Sequence, residues 1–223
     1  MLPPAQTAMT TFALDPAHVI TSAAALEALY GAPNPNSLAK EVSFLHPHYR
    51  TFLEAAPFVS IATVGPGGMD CSPRGDAPGF VRAHDEKTVM IPDRRGNNRI
   101  DTLKNLVADS RIGLLFLIPG VGETLRINGR ARISTDPALL ATFAVDGKPP
   151  RSVIVVDIET VYFQCSRALV RSRLWDAAAQ LERSALPSTG TLIADIGRPV
   201  HKGSFDGPQY DREQDQRVAD TLY

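Results

Sequence analysis

The clearest two-residue period lies at 123–134. There Leu125, Ile127, Ala131 and Ile133 share one face, and Thr124, Arg126, Asn128, Arg130 and Arg132 share the other. That alternation predicts a long strand with one buried face. The β-branched run FVSIATV (58–64) ends in GPGG (65–68) and reads as a strand, a turn and a return strand over 69–72. Segments 79–83 and 87–92 flank the turn His84-Asp85-Glu86 and read as two more strands. Ile112–Ile118 reads as a buried strand, and 152–163 as a further one. Helical spacing takes over at 99–108, where Ile100, Leu103, Leu106 and Val107 align.

The first 56 residues read as mostly helical. Thr21-Ser22 can cap the run Ala23–Tyr30, and Gly31 can end it. A second pattern starts near Ser37, and a third follows Pro47 with Tyr49, Phe52 and Leu53 on one face. Residues 1–18 carry little pattern and read as a mobile arm. Asp136-Pro137 opens a short helix, DGKPP (146–150) is a loop, and 166–175 is a helix. A short helix, a Pro/Gly-rich stretch and a polar tail from Ser204 follow. Six or seven closely spaced strands, one interposed helix and helices at both ends point to a small antiparallel barrel, mainly β with flanking helices (α+β). The divisions predicted are an N-terminal helical arm (1–36), the barrel domain (37–180) and a C-terminal extension (181–223).

The chain has 223 residues, enough to bury roughly 70% of its unfolded surface without a disulfide or metal. A net charge of −1 argues against non-specific nucleic-acid binding and against a polybasic membrane anchor. The two cysteines, Cys71 and Cys165, lack a paired metal or redox spacing and read as free thiols in a reducing compartment. No apolar run approaches the ~18 residues of a membrane helix. No secretory signal is legible, so the expected location is cytoplasmic.

Four clusters could carry chemistry. In IPDRRGNNRIDTLKNL (91–106), a strand ends at Pro92 and a helix is expected near Asn98 or Arg99. Helix-start N–H groups favour an anion, and Arg94, Arg95 and Arg99 add guanidinium groups that match phosphate. The alternative is a capped helix with solvated arginines. In DCSPRGDAPGF (70–80), Ser72, Arg74 and Asp76 stand in a backbone made irregular by proline and glycine, which suits a ligand loop or a plain hairpin connection. Thr124 and Arg126 lead the polar face of the long strand. In QCSRALVRSRLW (164–175), Arg167 and Arg171 stand four apart on one helix face, near Arg173 and Trp175. No HExxH, GxSxG or phosphate-binding glycine loop occurs, and no metal site is expected.

In order, FVSIATV, DCSPRGDAPGF, TVMIPDRRGNNRIDTLKNL, GLLFLIPG, ETLRINGRARI and VYFQCSRALVRSRLW resemble the pyridoxamine 5′-phosphate oxidase-related, FMN-binding split-barrel family, in its bacterial GNNR-motif branch. The resemblance covers roughly residues 35–180. It implies a six-stranded antiparallel split barrel, a homodimer with FMN at the interface, and an FMN-dependent oxidoreductase acting on a small molecule. By the same resemblance, Asn98 and Arg99, with Arg94, Arg95 and Asn97 near, hold the FMN phosphate. Ser72, Pro73 and Arg74 meet the phosphate and the ring edge. Ile91, Pro92 and Asp93 flank the flavin, and Thr124 and Arg126 face the cofactor. Arg167, Arg171, Arg173 and Trp175 line a substrate cleft or supply a wall from the second subunit. The chain lacks the vitamin B6 oxidase's C-terminal substrate motif, which argues against B6 phosphates as substrates. The alternatives are a non-catalytic flavin-binding protein and a split barrel that uses deazaflavin or haem.

Overall fold

A computed structural model describes residues 12–223; most of the expected arm, residues 1–11, lies outside them. Contacts divide the chain into two compact units at Ala39/Lys40. In the first, α1 (Ala23–Tyr30) is capped by Ser22, whose Oγ accepts from Ala25 N–H at 3.2 Å, and Gly31 ends it with φ 72°. A second helix, α2 (Pro35–Ala39), follows.

The second unit holds one antiparallel sheet of seven strands: β1 (Phe58–Gly65), β2 (Gly68–Gly75), β3 (Arg82–Ala83), β4 (Thr88–Asp93), β5 (Arg111–Leu117), β6 (Thr124–Ser134) and β7 (Ser152–Gln164). The strand order is β2-β1-β5-β6-β7-β4-β3. This is the expected split-barrel arrangement, with seven strands rather than six. The extra one is the two-residue β3. Strand structure was expected across 79–83, but Phe80 N–H bonds back to Ala77 O at 3.1 Å, and this turn occupies the first half.

The alternation read from the sequence decides which side chains go inward. Ile61 (β1), Ile91 (β4), Phe116 (β5), Ile127 (β6) and Val161 (β7) belong to one buried cluster, so the sheet curls around a single core. Leu53 of α3 (Pro47–Ala55) and Leu106 of α4 (Asp101–Ala108) join it. On β6 the arginines stay exposed as expected, but Thr124 is buried, 5% exposed, at the strand's start. A register shift at Asn128/Gly129 bends β6 against β7.

A short helix, α5 (Pro137–Thr142), links β6 to β7, and after the barrel come α6 (Arg167–Ser172), α7 (Thr189–Ile196), α8 (Arg198–His201), α9 (Gly207–Arg212) and α10 (Gln214–Thr221). The expected polar tail from Ser204 is therefore helical. Asp206 caps α9 by accepting from Gln209 N–H at 2.9 Å. Among the described residues no helix is long and apolar enough to cross a membrane, and Cys71 and Cys165 are free thiols.

Candidate anion-binding site in the barrel split

Strand order separates β2, at one end of the sheet, from β4, next to the other end. Their C-terminal ends meet only because the sheet curls round, and two ion pairs join them. Arg74, late in β2, reaches Asp93 at the end of β4 with N···O distances of 3.1 Å. In the opposite sense, Arg94 donates from Nε to Asp76 Oδ2 at 2.9 Å. Each loop thus sends an arginine to the other's carboxylate. The second pair is well shielded, with the Asp76 side chain 5% exposed.

Asp76 is saturated with donors. Ala77 N–H (2.8 Å) and the Tyr223 hydroxyl (2.7 Å) both donate to Oδ1. Burial alone would raise the pKa of this carboxyl. The hydrogen bonds from Tyr223, Ala77 and Arg94, with the charge of Arg94, outweigh burial and hold it below the usual range. The Tyr223 phenol is shifted up, chiefly by its hydrogen bond to the Asp76 carboxylate.

The split opens into a cavity of about 310 Å³. Its walls are Pro73–Gly75 from β2, the loop 93–98, Ile100 and Leu103 at the start of α4, and Arg151-Ser152 at the start of β7. The pairing of β4 with β7 sets Asp93 opposite Ser152 and so brings Arg151 alongside. Four arginines (74, 94, 95 and 151) face one lining carboxylate, Asp93. Arg95 has no hydrogen-bond or ion-pair partner among the described residues. Arg151 donates only to Asn98 Oδ1, at 3.0 Å.

The start of α4 differs from the expectation. The helix begins at Asp101, not near Asn98. Asn97 Oδ1 accepts from Arg99 N–H at 3.1 Å, which closes a turn before the helix. Asn98 (φ 59°) and Ile100 (φ 54°) are both left-handed, and no side chain caps the helix. Asp101 already places negative charge in the first turn. The excess positive charge at the site therefore comes from the arginines rather than the helix dipole.

The residues singled out from the sequence fall into three places. Pro73, Arg74, Asp93, Arg94, Arg95, Asn97 and Asn98 line the cavity. Ser72 is near by sequence, but its hydroxyl donates to Asp70 at 2.9 Å. Ile91 and Pro92 are buried, and Ile91 belongs to the core. Arg99 is turned outward and paired with Asp101 at 2.8 Å. Arg126 lines a separate shallow cavity with Ser60, Cys71, Asn128 and Gln164 on the outside of the sheet, while Thr124 is buried. In the α6 region, Arg173 pairs with Asp176, and Trp175 Nε1 donates to Val121 O at 2.8 Å. Arg167 and Arg171 line none of the cavities described here. Sequence reasoning missed Arg151 and Tyr223. Neither stands in a motif, and both reach the site through long-range folding.

The fold and this site define a split-barrel protein with an arginine-lined cleft. Residues 45–165 match the family described as pyridoxamine 5′-phosphate oxidase. That span is more than half of the chain, and the protein belongs to this family. No curated protein matches the chain. Among solved structures it is similar to HupZ of Group A Streptococcus, at 19% identity and a TM-score of 0.44, over 54% of this chain and 94% of that one. It is also similar to a putative pyridoxamine 5′-phosphate oxidase from Lactobacillus delbrueckii, at 17% and 0.43, over 54% and 95%. General Stress Protein 26 of Bacillus anthracis is a third, at 13% and 0.39, over 51% and 88%.

Proposed function

We propose that the cleft holds the phosphate end of FMN and that the protein works as an FMN-dependent oxidoreductase on a small molecule. The observation that carries this reading is the arginine excess in a cavity of about 310 Å³, within a family of pyridoxamine 5′-phosphate oxidases. The donor set fits a phosphate. Arg74 and Arg94 are pre-oriented by Asp93 and Asp76, Arg95 is uncommitted, and Asn97 and Asn98 offer side-chain amides. Pro73, Ile100 and Leu103 add an apolar wall.

Bound FMN supplies hydride and electron transfer. The chain's own part is to anchor the phosphate with charge-assisted bonds and to hold the two arginine–carboxylate pairs in register. Arg99 would join the phosphate by leaving Asp101, at small cost, because that pair is exposed. The working unit is a homodimer, in which a second copy covers exposed apolar side chains such as Met69 (83% exposed) and Val107 (81%).

The test is calorimetric titration with FMN and with riboflavin, which lacks the phosphate. Arg95→Ala removes an arginine that no carboxylate depends on, so the fold should tolerate it. FMN affinity should fall roughly 10- to 150-fold, the worth of one charge-assisted hydrogen bond, while riboflavin affinity hardly moves. No FMN binding by the wild-type protein, or equal losses for both ligands, would refute the reading.

A further inference from the structure

A second cavity, of about 170 Å³, adjoins the first and shares Arg94, Arg95 and Arg151 with it. Lys148 and the Tyr223 ring belong to the second alone. No aspartate or glutamate side chain lines it. Arg94 is neutralised by Asp76. Arg95, Lys148 and Arg151 take part in no ion pair among the described residues. Three cations without an ion-pair partner border one small space, and their summed field favours an anion there.

The backbone that carries Lys148 and the side chains of Arg151, Arg94 and Tyr223 are held in place. Lys148 closes a two-residue hairpin: Val145 N–H bonds to Lys148 O at 3.1 Å, and Lys148 N–H bonds back to Val145 O at 2.9 Å. The central residues, Asp146 (φ 49°) and Gly147 (φ 75°), both have the positive φ of a type I′ turn. Pro149 and Pro150 then fix the chain up to Arg151. Arg151 is oriented by Asn98 Oδ1. Arg94 spends Nε on Asp76 and Nη1 on Phe143 O (2.8 Å), which leaves Nη2 free to point elsewhere. Tyr223 is held by Asp76 and lies 5.5 Å from the Arg94 guanidinium, measured to the ring centre. In residues 177–223, this tyrosine makes the only hydrogen bond to the barrel among the described residues. Tyr223 thus supplies one wall of the cavity.

We propose that this cavity is a second anion subsite and that it takes a phosphate group, with Arg95, Lys148 and Arg151 as its ligands. Two guanidinium groups and one ammonium suit a doubly charged, three-oxygen group. The volume is below the roughly 300 Å³ at which small-molecule pockets begin. It admits a charged group and leaves the rest of the ligand outside or in the first cavity. The phosphate comes either from a separate phosphorylated molecule or from the next phosphate of the ligand already in the first cavity. The subsite does not depend on the flavin reading, because Lys148 lines the second cavity alone and keeps its charge there whatever fills the first.

The experiment compares the wild-type protein with Lys148→Met and Lys148→Arg, since Lys148 is exposed and touches only the second cavity. Inorganic phosphate is titrated by calorimetry into FMN-saturated protein and into protein alone, and FMN and FAD affinities are measured in parallel. With a separate phosphate, inorganic phosphate saturates one site per chain beside FMN. Lys148→Met weakens it about tenfold or more, Lys148→Arg restores it, and FMN affinity stays unchanged. With a second phosphate on the same ligand, FAD binds the wild type more tightly than FMN does, and Lys148→Met removes that preference. If FMN fails to bind at all while phosphate binding still depends on Lys148, the flavin reading falls and the subsite remains. The subsite is overturned if phosphate never saturates and FAD shows no preference, or if Lys148→Met changes neither.

Discussion

Asp76→Asn separates two roles of one carboxylate. Asparagine keeps the volume and one acceptor oxygen. If that oxygen stays at the Oδ1 position, Ala77 N–H and the Tyr223 hydroxyl are still served. The new amide then faces Arg94 Nε, donor against donor. One charge-assisted hydrogen bond is lost, worth about 1.5–3 kcal/mol. Breaking a fully buried ion pair costs about 3–5 kcal/mol. Arg94, however, keeps its bond to Phe143 O and borders open cavities, so the lower range applies, about 2 kcal/mol. In a chain of this size that corresponds to a fall in Tm of about 4–8 °C. The effect on binding has the opposite sign, because a negative charge beside both cavities has gone and phosphate affinity should rise. The pH dependence follows from the depressed carboxyl. Its folded pKa lies below the unfolded value of about 3.9. Its stabilisation is therefore full above that value and is lost as pH falls through the folded pKa. Thermal melts followed by circular dichroism should show wild type and variant well apart at neutral pH and converging in acid. Equal melting points at neutral pH, or a gap that persists in acid, would refute the role given to Asp76.

Two further substitutions probe the frame that carries the site. In Gly129→Ala the new Cβ would meet the Asp157 backbone oxygen at 2.2 Å, in the middle of the β6–β7 pairing. Neither backbone can yield easily, and the cost should be about 3 kcal/mol, read as lost thermal stability. In Gly190→Ala the Cβ would meet Gly207 O at 2.1 Å and push α7 off α9. Limited proteolysis should then cut the C-terminal extension while hydrogen exchange in the barrel strands stays slow; loss of barrel protection would show that the two melt together.

Local signals predicted local structure well. Ser22 and Gly31 bracket α1 where the capping pattern placed them. The period-two run at 123–134 became β6 with its arginines outward. The misplaced start of α4 is also a local matter, but one of competition. Asn97 and Asn98 are good caps and equally good turn formers. Here Asn97 spends its oxygen on Arg99 N–H, and Asn98 takes a left-handed backbone. The helix is thereby postponed to Asp101. The helices from Asp206 onward were hidden for another reason. They are short and strongly polar, so their faces give little periodicity.

The site itself was half legible. The sequence shows that arginines cluster at 94–99 and that carboxylates stand at 76 and 93. It does not show which pair with which. Nearest-neighbour pairing would join Arg74 to Asp76 and Arg94 to Asp93, and leave two independent, self-neutralised loops. The curled sheet crosses the pairs instead, so each loop's charge holds the other loop in place. Those pairs consume two arginines and both carboxylates. Arg95 and Arg151 remain as uncompensated charge at the first cavity, and Lys148 joins them at the second. The cleft is cationic because strand topology decides which charges cancel, even though the whole chain carries a net charge of only −1. Ile100 bears part of the cost of this placement. A β-branched residue at φ 54° gives up about 1–2 kcal/mol. That strain lies on the loop joining the crossed pairs to α4, where the chain must turn to keep Arg94 and Arg95 facing the cavities.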